Sequence, residues 1–119
     1  MNDSSQTRRP LGNSTSLGYP ITVSGVAPTN IHEYDSSAVQ NGGPYTDTVT
    51  LYLSNTTGSA LVATVTVASG TPIEVTVAAN ESLLVFDGIP TRGVAGTPTY
   101  LTAQGAQAGL VAFGYFTRA

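Results

Sequence analysis

The sequence contains no cysteine, lysine or tryptophan, and only 9% of its residues are charged. Without cysteine the chain has no disulfide framework, thiol nucleophile or thiolate metal site, and without lysine it has no Schiff-base or phosphate-binding lysine. Its net charge of −3 argues against nucleic-acid binding, which would need a basic surface. No apolar run approaches the roughly 20 residues that span a bilayer. We therefore expect neither nucleic acid nor a membrane among its partners.

The residues that are present favour a small all-β protein. A length of 119 residues allows one domain, and a hydrophobic content of 40% is too high for a disordered chain. β-Branched residues are abundant and helix-forming residues are scarce, which excludes a helical bundle. No apolar stretch follows Arg8 and Arg9, so the N-terminal segment resembles neither a Sec nor a twin-arginine signal. We expect synthesis in a host cytoplasm without export.

Residues 1–18 differ in composition from residues 19–119. Residues 1–18 contain only three large apolar side chains, those of Met1, Leu11 and Leu17. Ordering a backbone costs about 1–2 kcal/mol per residue, whereas burying a leucine returns only about 1.5–3 kcal/mol. The sequence therefore predicts an extended N-terminal arm over residues 1–18, which is a flexible tail unless a neighbouring subunit or partner orders it. The folded domain is expected over residues 19–119.

From Tyr19 onward, apolar and polar residues alternate with the period of a β-strand. Seven strands are expected, each bounded by Gly, Pro, Asn or Ser, over residues 21–25, 47–53, 61–67, 73–77, 82–86, 97–102 and 110–116. Segments 82–86 and 110–116 are apolar on both faces, which predicts central positions, whereas Pro98 predicts an edge position for 97–102. Residues 27–46 and 92–96 are expected to be loops. The spacing predicts a single β-sandwich of jelly-roll or immunoglobulin-like topology.

Residues with catalytic or metal-binding potential are few. His32, Glu33 and Asp35 cluster in the expected long loop, but one histidine and two neighbouring acids make a poor metal site, so a solvated or interface loop is predicted. No serine lies in a Gly-x-Ser-x-Gly elbow. The acids that could form a glycosidase pair are expected at turns or on polar strand faces, where they serve solubility: Glu33, Asp35, Asp47, Glu74, Glu81 and Asp87. We predict neither an enzyme nor a cofactor.

The stretch Thr48–Pro90 has a recognisable pattern: a Leu-Tyr-x-x-Asn-Thr-Thr hairpin from Leu51, a Val-Thr-rich strand pair, and an Ile-x-Val-x-Val-x-Ala strand from Ile73. An aromatic strand with Val111, Phe113, Gly114, Tyr115 and Arg118 closes the chain. Over residues 47–118 this pattern resembles the small head-decoration, or capsid cement, proteins of tailed bacteriophages. Other viral β-sandwiches and tail modules share parts of it.

The resemblance implies a small β-sandwich with no catalytic residues. It implies a place in the virion, on the exterior of the capsid, where the protein holds neighbouring major capsid proteins together against the pressure of the packaged DNA. The alternative is a carbohydrate- or receptor-binding module of a phage tail or fibre, although no receptor-binding appendage is recognisable. An enzyme accessory module is a third possibility.

Two expectations concern contacts with other chains. Because such proteins often use terminal arms on the capsid, Arg8, Arg9, Leu11 and Leu17 are the predicted capsid-binding residues, with charge-assisted arginine contacts and leucines in small apolar pockets. The modest, cysteine-free core and the flat threonine-rich strand faces predict a homo-oligomer, with a trimer favoured over a dimer.

Overall fold

The computed structural model describes residues 8–12 and 20–119, and within these residues it contains nine β-strands and no α-helix. The strands are β1 (Arg9–Pro10), β2 (Ile21–Val23), β3 (Thr29–Glu33), β4 (Thr46–Asn55), β5 (Leu61–Val67), β6 (Ile73–Val77), β7 (Ser82–Arg92), β8 (Tyr100–Gly105) and β9 (Leu110–Arg118). One 3-10 helical turn, Val39–Asn41, lies between β3 and β4. None of the described residues forms a helix that is long and apolar enough to cross a membrane.

The strands form two antiparallel sheets. Sheet A has the order β1-β9-β4-β7, and β2 follows β1 along the same edge of β9. Sheet B has the order β3-β8-β5-β6. The sheets pack face to face on one hydrophobic core, which confirms the predicted single all-β sandwich.

The core follows from the predicted alternation. Along β4 the side chains of Val49, Leu51 and Leu53 point into the core, and Thr48 and Tyr52 lie on the outer face of sheet A. On β5 Ala63 and Val65 complete the facing layer from sheet B. Because successive residues of a strand face opposite sides, this register turns the apolar set towards the core and the threonines towards the outer face, where Thr50 alone among those of β4 is buried.

Three strand predictions need correction. Residues 29–33 form β3 inside the expected long loop, because this segment pairs with β8 and buries Ile31 and His32. The segment predicted at the centre of the sandwich is the start of β7, which continues to Arg92 and, within the described part of the chain, pairs only with β4. The predicted edge strand begins after Pro98 as β8, and it lies between β3 and β5. The central position predicted for 110–116 is confirmed by β9.

Part of the predicted arm belongs to the sandwich. Residues Arg9 and Pro10 pair with Phe116 and Tyr115 of β9, and Leu11 donates its backbone N–H to the carbonyl of Gly114 at 3.1 Å. The Leu11 side chain is only 2% exposed and belongs to the core. The Gly12 carbonyl accepts a hydrogen bond from the backbone N–H of Glu33, so this short segment bridges the two sheets. The remaining arm residues, 1–7 and 13–18, lie outside the described residues.

Candidate functional site

Within the described part of the chain, a cluster of buried ionisable side chains joins three strands. Asp47, at the start of β4, is fully buried and accepts two hydrogen bonds from Arg118 of β9, Nε to Oδ1 at 2.7 Å and Nη2 to Oδ2 at 2.8 Å. His32 of β3 places Nε2 2.8 Å from Asp47 Oδ2 and is 1% exposed. We call His32, Asp47 and Arg118 the buried charge cluster. It connects sheet B, through His32, to two strands of sheet A.

Hydrogen bonding decides the ionisation of Asp47 and Arg118. Burial raises the pKa of Asp47, but the hydrogen bonds from Arg118 and His32 outweigh it, so the pKa lies below its ordinary value of 3.8. The pKa of Arg118 is raised, chiefly by its hydrogen bonds to Asp47. The carboxylate and the guanidinium therefore form a bidentate ion pair.

Aromatic rings surround the histidine of the cluster. The His32 ring contacts Tyr34 edge-on at 5.1 Å and Phe116 at 4.3 Å, and the Arg118 guanidinium lies 5.3 Å from the Phe116 ring centroid. Burial raises the pKa of the Tyr34 hydroxyl to about 12. Among the described atoms, His32 Nδ1 is buried and has no hydrogen-bond partner. These rings close the imidazole off from solvent.

The cluster corrects two expectations. His32 does not lie in a solvated or interface loop, because β3 carries it into the core, and Asp47 is not a solubility residue on a polar strand face. The histidine–carboxylate pair has the composition of a general-base dyad, but a dyad needs access to a substrate and both groups are buried. Its geometry suits a link between the sheets.

A second acid organises the segment between β3 and β4. The Asp35 carboxylate accepts hydrogen bonds from Ser37 Oγ at 2.5 Å, from the Ser37 N–H at 3.2 Å and from the Tyr45 N–H at 2.6 Å. Burial raises the pKa of Asp35, but these hydrogen bonds outweigh it and hold the pKa below its ordinary value. Asp35 thus holds the two ends of this loop together, because its buried carboxylate accepts backbone N–H hydrogen bonds from both ends, at Ser37 and Tyr45.

The three residues considered as metal ligands, for which no metal site is predicted, are not brought together. His32 pairs with Asp47, Asp35 pairs with Ser37 and Tyr45, and Glu33 lies half-buried on β3. In residues 8–12 and 20–119, no group of three or more His, Asp or Glu is arranged to hold a metal ion.

The predicted capsid-binding residues do not share one location. Arg8 and Arg9 are exposed at the β1 edge, with the Arg8 guanidinium 4.5 Å from the centroid of the Tyr115 ring. Leu11 was expected to fill a pocket on a partner, but it fills one in its own core, because β1 pairing carries it between the sheets. Leu17 lies outside the described residues. The arginines therefore remain candidates for contact with another chain, and Leu11 does not.

An apolar row crosses the outer face of sheet A. Leu84 of β7 and Phe113 of β9 lie on either side of Tyr52 of β4, in direct register. The Tyr52 and Phe113 rings are stacked at 5.2 Å with an interplanar angle of 7°. Leu84 is 43% and Phe113 is 37% exposed. We call these three residues the outer row; its side chains offer a partner an apolar strip on a rigid sheet.

A further apolar surface lies along one side of the sandwich, where β6 and β7 are the last strands of their sheets. Ile73 pairs with fully buried Val65, and Ile89 pairs with Val49, so both lie on core faces, yet each is 41% exposed. Leu83 and Phe86 are also only half-buried. The opposite side is closed, since Val23 and Ile31 are fully buried. We call the side formed by β6 and β7 the open seam.

Comparison of the chain with protein-family models, with curated proteins and with solved structures found no match. Sequence reasoning missed the buried charge cluster and both apolar surfaces. Arg118 stood in the pattern of the closing strand and Asp47 at the start of a strand, but nothing in their spacing indicates that they meet His32. The one available signal for the outer row is the two-sided apolar pattern of Leu83, Leu84 and Val85, which predicts burial equally well.

Proposed function

We propose that the chain is a structural virion protein, which binds the outer surface of a phage capsid and cements neighbouring major capsid proteins. The outer row carries the proposal. Leu84, Tyr52 and Phe113 form a contiguous apolar strip on the outside of a sheet, and such strips mark surfaces that another macromolecule covers. The pattern resemblance over residues 47–118 supplies the capsid as that partner.

The surroundings of the outer row suit a structural role. Neighbouring outward positions on β4 and β9 carry uncharged side chains, among them Thr48, Ser54 and Thr117, whereas Asp87 of β7 places an exposed carboxylate next to the row. Beneath the row, the sheet is held by a fully buried layer of Val49, Leu51 and Leu53. An apolar strip on a rigid support can bind a partner at little cost in conformational entropy. The one histidine is buried, which also favours a role without catalysis.

The alternative function, carbohydrate or receptor binding on a tail or fibre, is less well supported by this surface. Sugars stack on the open face of an aromatic ring. Here the near-parallel Tyr52 and Phe113 rings each cover one face of the other, which reduces the area that a sugar can contact.

Co-sedimentation with DNA-free capsids of the source phage, stripped of this protein, tests the proposal. The full chain is expected to sediment with the capsids at a saturating stoichiometry. The double variant Leu84→Ser/Phe113→Ser should weaken this binding about tenfold or more, because it removes the apolar anchors. The control is Val39→Ser, since Val39 is also an exposed apolar residue but lies on the 3-10 turn, away from the outer row.

Two outcomes would overturn the proposal. One is that the full chain fails to sediment with capsids. The other is that it binds a glycan array and loses this binding in the Leu84→Ser/Phe113→Ser variant, which would support the alternative function. Circular dichroism of each variant checks that a loss of binding is not a loss of fold.

A further inference from the structure

The middle of the open seam is apolar and carries no charge. Leu83, Phe86 and Ile89 of β7 each pair with a buried residue of β4, so all three lie on the core face of sheet A, and none of them is fully covered. Their partners on β4 are two residues apart, so Leu83 and Ile89 lie one step on either side of Phe86, where a step is two residues of β4. Glu74 lies on the outer face of sheet B and Asp87 on the outer face of sheet A, so neither points into the seam.

Ile73 of β6 is level with Phe86, on the other side of the seam. The side-chain amide of Asn55 on β4 donates a hydrogen bond to the carbonyl of Val77 on β6 at 3.0 Å, which places these two residues at one height. Ile73 lies four residues from Val77 along β6. The β4 residue that pairs with Phe86 lies four residues from Asn55 in the same direction. The seam therefore has one apolar residue from each sheet at its centre.

From this arrangement we infer that the open seam binds the open seam of a second copy of this chain, about a two-fold axis at the level of Phe86 and perpendicular to both sheets. The rotation reverses the heights along β7, so it brings Leu83 against Ile89 of the second copy. Phe86 and Ile73 each meet their own mates. Core-facing side chains that water reaches in one copy are thereby covered in two. Such a contact is isologous and closed, so it gives a dimer.

The contact is made by side chains and is of modest size. Register shifts interrupt the free edge of β7, and Pro90 has no N–H to donate, so a continuous backbone ladder between the copies is not expected. The seam runs along nine register pairs of β4 and β7, about 30 Å at about 3.3 Å per residue, and two sheets about 10 Å apart with their side chains make it about 20 Å wide. It covers about 1,200 Å² in total, the lower limit for specific interfaces, which favours a dissociation constant in the micromolar range.

Charge favours this axis over one that runs parallel to the strands. Glu81 directly precedes β7 and Arg92 ends it, and both are exposed. The perpendicular axis reverses β7, so Glu81 approaches Arg92 of the second copy at each end of the contact. A parallel axis would keep the heights and bring the two Glu81 residues together. Glu74 and Asp87 lie diagonally to their own mates, on outer faces where water and salt screen the repulsion.

The dimer presents both outer rows on the same side. Because the axis is perpendicular to sheet A, the two copies of this sheet lie next to each other and their outer faces point the same way. Two outer rows on one surface can hold two neighbouring capsid proteins, which a single row cannot do. This consequence rests on the proposed function, whereas the dimer itself does not.

Sedimentation velocity of the full chain at micromolar concentrations tests the dimer without capsids. The wild-type chain is expected to be in a monomer–dimer equilibrium. Ile73→Gln and Ile89→Gln should each raise the dissociation constant about tenfold or more, because each substitution occurs twice in the contact. The matched control Val62→Gln should leave it unchanged, since Val62 is 37% exposed on the outer face of sheet B. Arg92→Glu should raise it about threefold or more, and Glu81→Arg/Arg92→Glu should restore it.

Cysteine cross-linking tests the position of the axis. The wild-type chain has no cysteine, so a single introduced cysteine can form a disulfide only with a second copy. Under air oxidation Ile73→Cys should give a disulfide-linked dimer, because the axis brings this residue to its own mate. Glu81→Cys should not, since the perpendicular axis holds the two Glu81 positions at opposite ends of the contact.

A monomeric or trimeric wild-type chain would overturn the inference. So would a dimer that Ile73→Gln and Ile89→Gln both leave intact while they melt as folded proteins. Cross-linking of Glu81→Cys in place of Ile73→Cys would overturn the perpendicular axis. A chain that dimerises as expected but does not sediment with capsids would count against the proposed function alone.

Discussion

The substitution Leu11→Ala tests whether residues 9–12 are part of the folded core. Leu11 is 2% exposed, and one of its methyl groups lies against Gly114, where no side chain can fill the space. Truncating a buried leucine to alanine costs about 2–5 kcal/mol. Because β1 has only two residues and can move inward to reduce the cavity, we expect the lower part of this range, about 2–3 kcal/mol.

Urea unfolding followed by far-ultraviolet circular dichroism measures this loss. With a slope of about 2 kcal/mol per molar urea, the midpoint should fall by about 1–1.5 M and the slope should not change. The matched control is Leu84→Ala, since Leu84 is 43% exposed and should lose less than about 1 kcal/mol. Equal midpoints for Leu11→Ala and Leu84→Ala would refute the assignment of Leu11 to the core, and the segment would then be an accessory arm.

Two further predictions follow from the buried carboxylates and from the contact between β4 and β9. The pKa of Asp47 is lower in the folded than in the unfolded chain, so the stability that its carboxylate contributes is present above about pH 4 and is lost as the pH falls through the folded pKa. Asp47→Asn should lower the free energy of unfolding at neutral pH by about 3–5 kcal/mol. Urea titrations between neutral and acid pH should also show that the stability of this variant depends less on pH than that of the wild type. Gly114 has a φ of +153°, and a Cβ there would lie 2.0 Å from the Thr50 carbonyl oxygen, whereas a Cβ on Gly58 meets nothing within 4 Å. Gly114→Ala should therefore lower the melting temperature, and Gly58→Ala should leave it nearly unchanged. Equal melting temperatures for the two variants would contradict this packing.

Alternation in the sequence predicted most of the sandwich because one face of each inner strand is buried. The alternation over residues 61–67 predicts a strand, and β5 has the same limits. The two-sided apolar segment 82–86 was misplaced for a physical reason. Apolar residues on the second face of a strand are found where that face is buried in the protein, and also where it forms an exposed apolar patch. Leu84 belongs to the second kind.

The buried charge cluster was beyond sequence reasoning because its members meet through tertiary packing. His32 and Asp47 are 15 positions apart and lie in different sheets, and Arg118 is 71 positions from Asp47. Local rules treat each as a separate polar residue, which favours a loop or a solvated strand face. Only the sheet order, which places β9 beside β4, brings the guanidinium to the carboxylate.

Leu11 was misjudged because an isolated apolar residue in a polar segment carries no periodicity. Its burial depends on Gly114, whose missing side chain leaves room for it on β9. Gly114 belongs to the recognised closing strand, but nothing in the sequence indicates that Leu11, near the other end of the chain, packs against it.

The pairing of β1 with β9 also determines how the protein responds to mechanical load. Arg9 lies beside Phe116 in an antiparallel pair, so the chain segments that contain Arg8 and Ala119 lie at the same end of the sheet. Hydrogen bonds in such a pair are perpendicular to the strands, and a force that separates these two segments breaks them one after another instead of together. Tension applied there would peel β1 away and then extract Leu11, whereas the Asp47–Arg118 ion pair, just inside the same end, would resist separation of β9 from β4. The sandwich is therefore built to yield first at β1, with its central strands still joined.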